Sequence, residues 1–164
     1  MDADLSVSLD QIPHLLAPLS NGADMVFGSR QHKHSNIVLS QHFLRQKSGS
    51  IFNLLIRCLL FYGVRDTQCG FKGFSSKAAN YCFDHCKSNR FAFDVELFLL
   101  VSKQHLSIYC IPVNWKNVVH SSVSFWKDSV KMFFHLLVLK WRFKIFIPFK
   151  IEIKTNEASI NYHH

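Results

Sequence analysis

Residues 22–30 read Gly-Ala-Asp-Met-Val-Phe-Gly-Ser-Arg. Positions 23–28 within this stretch are mostly apolar and bounded by glycines, which predicts a short buried strand. Residues 9–19 have the composition of a helix, and Asn21-Gly22 forms its stop signal. A helix that leads directly into a buried strand is the first indication of an α/β fold.

The rest of the chain continues this alternation. We expect further helices over residues 40–62, 76–86, 93–104 and 124–146. The other segments are a mobile polar loop over 31–40, a loop or short strand over 66–74, a strand over 107–115 and a frayed tail after Lys150. Two strands alone would leave exposed sheet edges, so we expect a sheet that lacks the strand before Asp2.

Composition indicates one globular domain over residues 1–150, followed by a polar tail over residues 151–164. The 164 residues are 48% hydrophobic and 18% charged, which is too apolar for a disordered chain. Five cysteines at irregular spacing, with no signal peptide before them, favour reduced thiols facing the cytoplasm. The longest apolar runs, 51–62 and 132–139, are shorter than the about 20 residues needed to span a bilayer.

Cys82, His85 and Cys86 lie close together in the sequence and invite interpretation as a metal cluster. Their spacing matches no common zinc pattern. We therefore favour buried positions on a helix for these three residues.

The formal net charge of +8 is concentrated near the carboxyl end. Residues 127–154 carry seven basic residues against only Asp128 and Glu152. Aromatic residues are interspersed among them, a mixture that suits an anionic partner such as a membrane surface, a nucleotide phosphate or a nucleic acid. Charge alone does not choose among these three partners.

The helices over 40–62 and 124–146 are the candidates for contact with a membrane. In the first helix, core packing and membrane contact both stay open for the apolar residues Phe43, Ile51, Leu54, Leu55, Leu59 and Phe61. In the second helix, membrane contact is favoured because cations accompany the aromatic residues Trp126, Phe133, Phe134, Trp141, Phe143 and Phe146.

Asp2-Ala3-Asp4 places two carboxylates two residues apart. Such a pair can share Mg²⁺ or Mn²⁺, because both cations prefer hard oxygen ligands and keep positions open for substrate phosphates. A short acidic motif of this kind also occurs by chance, and in isolation a solvated turn is the favoured interpretation.

Five motifs follow one another in order along the chain. They are Asp2-Ala3-Asp4, residues 22–30, Arg65-Asp66-Thr67-Gln68-Cys69-Gly70-Phe71-Lys72, Arg90-Phe91-Ala92-Phe93-Asp94-Val95-Glu96-Leu97 and Ile111-Pro112-Val113-Asn114-Trp115. This series resembles family 2 glycosyltransferases, in particular the dolichyl-phosphate glucosyltransferases and their bacterial polyprenyl-phosphate relatives. The resemblance covers about residues 1–145.

The resemblance implies both a fold and a reaction. The fold would be a partial glycosyltransferase-A-type, Rossmann-like α/β fold without the amino-terminal strands that bind the nucleotide in the family. The reaction would be a metal-dependent, inverting transfer of glucose from a nucleotide-sugar such as UDP-glucose to a polyprenyl or dolichyl phosphate. The protein would then be peripheral on the cytoplasmic face of a membrane and would have no nucleic-acid partner.

The resemblance also implies roles for individual residues. Asp2 and Asp4 would hold Mg²⁺ or Mn²⁺, and Asp94 takes the position of the catalytic aspartate. The substrate-binding residues would be Arg30, Asp66, Gln68, Lys72 and Trp115. Asp94 would act as a general base toward a hydroxyl acceptor, whereas toward a lipid phosphate, which is already anionic, it would position groups and balance charge. We favour the second role.

Ordinary structural roles are the alternatives at the same positions. Arg30 could form a surface salt bridge, the loop over 66–72 could be a simple polar turn, and Asp94 could stabilise a helix start. The chain also departs from the family after Trp115, where His120-Ser121-Ser122-Val123 replaces a Gly-Ser-Lys-like turn and leaves His120 or Lys116 as the substitute cation.

Two interpretations compete with an active transferase. The chain could be a truncated, inactive glycosyltransferase fragment, since no strand precedes Asp2. It could also be a basic peripheral module that binds a membrane or nucleic acid without catalysis, although this leaves the ordered acidic motifs unexplained.

Overall fold

A computed structural model describes residues 5–39, 43–116 and 125–155 of the chain. The helices in this part are α1 (Ile12–Ser20, preceded by the 3₁₀ turn Leu9–Gln11), α2 (Phe43–Leu59), α3 (Ser76–His85), α4 (Phe91–Lys103) and α5 (Phe125–Arg142). The strands are β1 (Met25–Ser29), β2 (Asn36–Leu39), β3 (Phe61–Tyr62), β4 (Lys72–Phe74), β5 (Ile108–Pro112), β6 (Asn114–Lys116), β7 (Phe149–Lys150) and β8 (Lys154–Thr155).

The main sheet has four strands in the order β4-β1-β5-β8. β1 and β5 are parallel, in a register that runs from Met25 opposite Ile108 to Ser29 opposite Pro112. β4 pairs antiparallel with β1, and β8 pairs parallel with β5. Two smaller parallel pairs, β2-β6 and β3-β7, lie beside this sheet. The expected α/β class is therefore confirmed.

Alternate residues of β1 enter two hydrophobic cores, one on each face of the sheet. Phe27 packs into the larger core with α2, α4 and α5, and its ring meets Phe98 edge to face at 5.0 Å between centroids. Val26 packs into the smaller core, which includes Leu15 of α1 and Trp115 of β6. Burying each such side chain contributes roughly 1.5–3 kcal/mol, so β1 anchors both layers.

Asp24 joins the amino ends of β1 and β5 to the carboxyl end of the antiparallel strand β4. Its carboxylate accepts hydrogen bonds from the backbone N–H of Ser107 at 2.9 Å and from the hydroxyls of Ser107 and Ser75 at 3.0 and 3.3 Å. Ser107 immediately precedes β5, and Ser75 follows β4 and caps α3. Burial alone would raise the pKa of Asp24, but these hydrogen bonds hold it below its ordinary value.

Two segments that were expected to lack regular structure contain strands, because each pairs with a distant strand. The segment over 31–40 is not a loop throughout, since β2 pairs with β6 and the Asn36 N–H donates to the Val113 carbonyl. The tail is not frayed through Thr155, because the Ile151 N–H donates to the Tyr62 carbonyl and β8 joins the main sheet. Ile151 is buried.

Two predicted elements are shorter than expected for the same reason. The helix predicted to reach Tyr62 ends at Leu59, because β3 pairs with β7. The strand predicted over 107–115 is divided at Val113, because β5 pairs with β1 whereas β6 pairs with β2. In the part of the chain that is described, no helix is both long enough and apolar enough to cross a membrane.

Candidate active site

Arg30 and Asp66 form a bidentate ion pair just beyond the carboxyl end of β1. The Arg30 Nε lies 2.8 Å from Asp66 Oδ2, and Nη2 lies 2.8 Å from Oδ1. The backbone N–H of Arg30 also donates to Oδ2 at 2.9 Å. Asp66 is only 1% exposed, so this carboxylate is a buried anchor that fixes the plane of the guanidinium.

The ionisation of Asp66 depends on this pairing. Burial alone would raise the pKa of the Asp66 carboxyl, but the hydrogen bonds and positive charge of Arg30 outweigh burial and hold the pKa below its ordinary value. Asp66 therefore carries a full negative charge at neutral pH.

Trp115 forms the second support of Arg30. The guanidinium carbon lies 5.6 Å from the centre of the indole, within the range of a cation–π contact. Trp115 is buried on β6, whereas the Arg30 side chain stays partly exposed. The cation is thus held by two residues and still reachable from solvent.

Lys72 and Asp94 form a second ion pair. Lys72 Nζ lies 2.7 Å from Asp94 Oδ1 and 2.6 Å from the carbonyl oxygen of Cys69. Lys72 starts β4 and its side chain is nearly buried, while Asp94 is in the first turn of α4 and partly exposed. The loop that carries Asp66 ends at Lys72, so one short segment contributes to both ion pairs.

The same loop contains two buried polar atoms that the protein does not satisfy. Among the described residues, Thr67 Oγ1 and Gln68 Nε2 are the buried side-chain atoms without a hydrogen-bond partner. Leaving such a group unsatisfied costs about 1–3 kcal/mol. Gln68 was predicted from the sequence, but Thr67 was not singled out.

A cleft of about 400 Å³ opens at the carboxyl ends of the parallel strands. Phe27, Ser29 and Cys110 form its inner wall, and its remaining lining residues are Gln31, His32, Lys33, His34, Gly63, Arg65, Ile153 and Thr155. Ligands of open α/β sheets characteristically bind at this end of the strands. Arg30 and Asp66 do not line this cleft, but each follows a lining residue, Ser29 or Arg65, directly in the chain.

The edge of the cleft is suited to anions. The backbone N–H of His34 donates to His32 Nδ1 at 3.3 Å, so a neutral His32 carries its proton on Nε2 and offers a donor there. Partial burial and the nearby His34 and Lys33 lower the pKa of His32. From the sequence, His32 and His34 are predicted only to lie in a loop; their position directly after Arg30 was the signal available for a role in the site.

The buried thiols beside the site are unreactive. Burial and the negative charge of Asp66 raise the pKa of Cys69 to about 11 and that of Cys110 to about 12. Both therefore stay protonated at neutral pH and are unsuited to act as nucleophiles.

The remaining predicted residues fall elsewhere. Asp2, Asp4 and His120 lie outside the described residues. Lys116 is exposed at the end of β6, and its backbone N–H donates to the Ser6 carbonyl.

The cysteine–histidine cluster does not share one environment. Cys82 is buried as predicted and Cys86 is half-buried. His85 was wrongly predicted to be buried, since it is exposed and its Nδ1 lies 2.9 Å from the Tyr81 carbonyl. Cys82 therefore packs against the core, Cys86 does so in part, and His85 lies on the outer face of α3.

No protein-family model matches the chain. A dolichyl-phosphate beta-glucosyltransferase of Dictyostelium discoideum is 34% identical over 132 residues, which cover 76% of this chain and 40% of that protein. Its Homo sapiens counterpart is 34% identical over 134 residues, covering 77% of this chain and 41% of that protein. The Saccharomyces cerevisiae counterpart is 29% identical over 117 residues, covering 71% and 35%. The chain thus spans about 40% of the length of the first of these curated relatives.

Proposed function

Because the chain is a homologue of the dolichyl-phosphate beta-glucosyltransferases, a group of family 2 glycosyltransferases, we propose that it is the carboxyl-terminal catalytic portion of such an enzyme. The proposed reaction transfers glucose from a nucleotide-sugar, UDP-glucose, to dolichyl or polyprenyl phosphate. The resemblance seen in the five sequence motifs is confirmed by these relatives.

The main support for this proposal is that two positively charged side chains are held in fixed positions at one end of the sheet. Arg30 is held by Asp66 and Trp115, and Lys72 is held by Asp94. A cation that is already oriented binds a phosphate oxygen with little further loss of conformational freedom. The donor diphosphate and the lipid phosphate are both anions that such cations suit.

In the proposed step, an oxygen of the lipid phosphate attacks the anomeric carbon of glucose while the bond to the diphosphate breaks on the opposite side. This displacement inverts the anomeric configuration. The attacking phosphate is already anionic near neutral pH, because its second pKa is about 6, so no general base is required. Asp94 then serves to position Lys72 and to balance its charge.

Gln68 and Thr67 are proposed to recognise the sugar. Gln68 Nε2 is a donor, and Thr67 Oγ1 can donate or accept. Sugar hydroxyls both donate and accept, so they match these two atoms in hydrogen-bonding type; because both atoms are buried, contact with a sugar would require the loop to open. Pairing with glucose would remove the cost of leaving the atoms unsatisfied.

Asp2 and Asp4 are proposed as ligands of Mg²⁺ or Mn²⁺, since these cations favour carboxylate oxygens. Bound there, the metal would offset negative charge on the departing diphosphate. Residue type and motif order support this assignment. We further propose that the protein works peripherally on the cytoplasmic face of a membrane, where a polyprenyl phosphate is anchored by its hydrocarbon chain.

Transfer of radiolabelled glucose from UDP-glucose to dolichyl or undecaprenyl phosphate tests the proposal. The chain is assayed alone and joined behind the preceding part of the Dictyostelium relative. We expect metal-dependent transfer by the joined protein, and its loss in Asp4→Asn. Arg30→Lys keeps the charge but loses the planar fork, and should lower kcat/KM by roughly 10²-fold.

Arg57→Lys, on the exposed face of α2, is the matched control and should leave transfer unchanged. Full activity of Asp4→Asn would refute the metal role, and full activity of Arg30→Lys would refute the phosphate role. Absence of transfer by both forms would favour an inactive fragment instead.

A further inference from the structure

The outer face of α5 is apolar. Its exposed hydrophobic residues recur at intervals of three and four, which places them along one side of the helix: Val130, Phe133, Phe134, Leu137, Val138 and Trp141. Leu136 and Leu139 lie on the other side and are buried in the larger core. The helix therefore has two apolar sides, and core packing uses only one of them.

The turn after α5 carries further exposed apolar side chains. Phe146 is 86% exposed and Ile147 is 80% exposed, and Trp141 at the end of the helix is 84% exposed. Three large side chains so close together and so open to water are unusual on a soluble domain. We name the six-residue stripe of α5, together with Phe146 and Ile147, the α5 apolar face.

The neighbouring helix adds to this face only in part. α2 packs against α5, and its Ile51 and Leu54 are exposed. Phe61 is buried and Leu55 and Leu59 pack against the core, so core packing is the alternative that holds for those three residues. Phe143, predicted to meet the membrane, also packs against the core.

Positive charge surrounds the α5 apolar face. Residues 129–151 contain Lys131, Lys140, Arg142, Lys144 and Lys150, and no aspartate or glutamate. Arg142 pairs with the buried Glu96, so the other four basic residues of this stretch are lysines outside that ion pair. Helical spacing places Lys131 and Lys140 beside the stripe of α5. A second copy of this chain docking face to face would bring these lysines against their equivalents, which disfavours self-association.

We propose that the α5 apolar face docks onto the surface of a bilayer that contains anionic phospholipid. The aromatic and aliphatic side chains would enter the boundary between headgroups and acyl chains, while the lysines pair with lipid phosphates. Trp141 suits this boundary because its ring is apolar and its indole N–H is polar. The preference for a lipid partner rests in part on the proposed lipid acceptor, but binding itself requires no sugar transfer.

Sedimentation with vesicles tests this proposal on the complete 164-residue chain. Vesicles of phosphatidylcholine with phosphatidylserine are compared with phosphatidylcholine alone, without dolichyl phosphate or UDP-glucose, so failure of the transferase proposal would not affect the result. We expect binding to the anionic vesicles and weak binding to the neutral ones. Lys144→Gln should weaken anionic binding by about fivefold, the effect typical of one basic residue near the surface.

The combined variant Trp141→Ser, Phe146→Ser and Ile147→Ser removes apolar side chains that contribute little to the core. It should keep the circular dichroism of the wild type and lose at least about tenfold in vesicle affinity. Leu16→Ser is the matched control, because Leu16 is also exposed but belongs to α1 on the opposite side of the sheet. It should bind vesicles as the wild type does.

Three results would overturn the proposal. The first is equal vesicle binding by the wild type and the triple-serine variant. The second is equally strong binding to neutral and anionic vesicles. The third is a dimer in light scattering that the triple-serine variant abolishes, which would assign the face to a second copy of the chain.

Discussion

Arg142 in the last turn of α5 pairs with the fully buried carboxylate of Glu96 in α4. Glu96 also accepts hydrogen bonds from the backbone N–H groups of Lys87 and Ser88, at 3.2 and 2.8 Å. One carboxylate thus joins α5, α4 and the segment before α4. Because Asp94 lies only two residues before Glu96, this contact connects the helix of the α5 apolar face to the helix of the candidate active site.

Removing Arg142 should leave the Glu96 charge buried without its cation. We expect Arg142→Gln to lower the free energy of unfolding by about 3 kcal/mol. Lys131→Gln, an exposed change on the same helix, should stay within about 0.5 kcal/mol. Adding Glu96→Gln should recover part of the loss, as measured by urea denaturation, and strictly additive effects would show that the two residues do not interact.

Asp66 predicts a pH dependence of stability. The pKa of Asp66 is lower in the folded state than its unfolded value of about 3.9. The stability that its charge contributes is therefore fully present above about pH 3.9 and is lost as the pH falls through the folded-state pKa. The difference in unfolding free energy between wild type and Asp66→Asn should therefore be constant from pH 7 to about 5 and shrink below about 4. A difference that grew on acidification would have the wrong sign.

Asp94 can be tested by the shape of the pH–rate profile. As a positioning residue, Asp94→Asn should lower the rate of transfer by about 10-fold or more through misplacement of Lys72, with the profile otherwise unchanged. Loss of the acidic limb would instead indicate a general base. Asp84→Asn, an exposed carboxylate on α3, is the control and should leave the rate unaltered.

The unsatisfied atoms of Thr67 and Gln68 predict opposite effects on stability and activity. Thr67→Val and Gln68→Leu remove buried polar atoms that pair with nothing in the protein, so each should be neutral or stabilise by about 1 kcal/mol. Transfer of glucose should nevertheless fall. Thermal denaturation and the transfer assay measure the two effects, and a clear loss of stability would contradict the assignment.

Substitution of Gly63 tests whether residues 149–155 are part of the folded domain. Its φ is +103°, and an added Cβ would lie 2.4 Å from the Ile151 carbonyl oxygen. Gly63→Ala should therefore destabilise by about 2–3 kcal/mol, through both backbone strain and displacement of Ile151. Gly22→Ala has a similar φ of +87° but open space, so it should cost only about 1 kcal/mol. Equal denaturation midpoints for the two variants would contradict this account.

The local sequence pattern was sufficient to predict most helices and β1, because helix stops and short apolar runs depend only on residues that are neighbours in the chain. It was insufficient for β2 and β8, whose strands form only when a distant partner is present. β2 requires β6, and Ile151 requires Gly63 and Tyr62. Tertiary pairing of this kind leaves little trace in the sequence.

The candidate site likewise has features that the sequence predicts and features that depend on distant contacts. Arg30, Asp66, Lys72 and Asp94 were identified as individual residues by motif resemblance, but their arrangement in two ion pairs depends on how the chain folds. The periodicity of α5 was ambiguous because apolar residues follow both of its sides. Burial of Leu136 and exposure of Trp141 distinguish those sides.

The hydrogen bonds of Asp24 lie at the opposite end of β1 from Arg30. The contacts that hold the strands together and the proposed substrate-binding cation Arg30 therefore lie at opposite ends of the same strand. Substitutions at the Asp24 end should reduce how much protein a cell accumulates while the surviving molecules keep their turnover. Substitutions at the two ends of β1 should consequently change the amount of folded protein and the proposed binding of substrate independently.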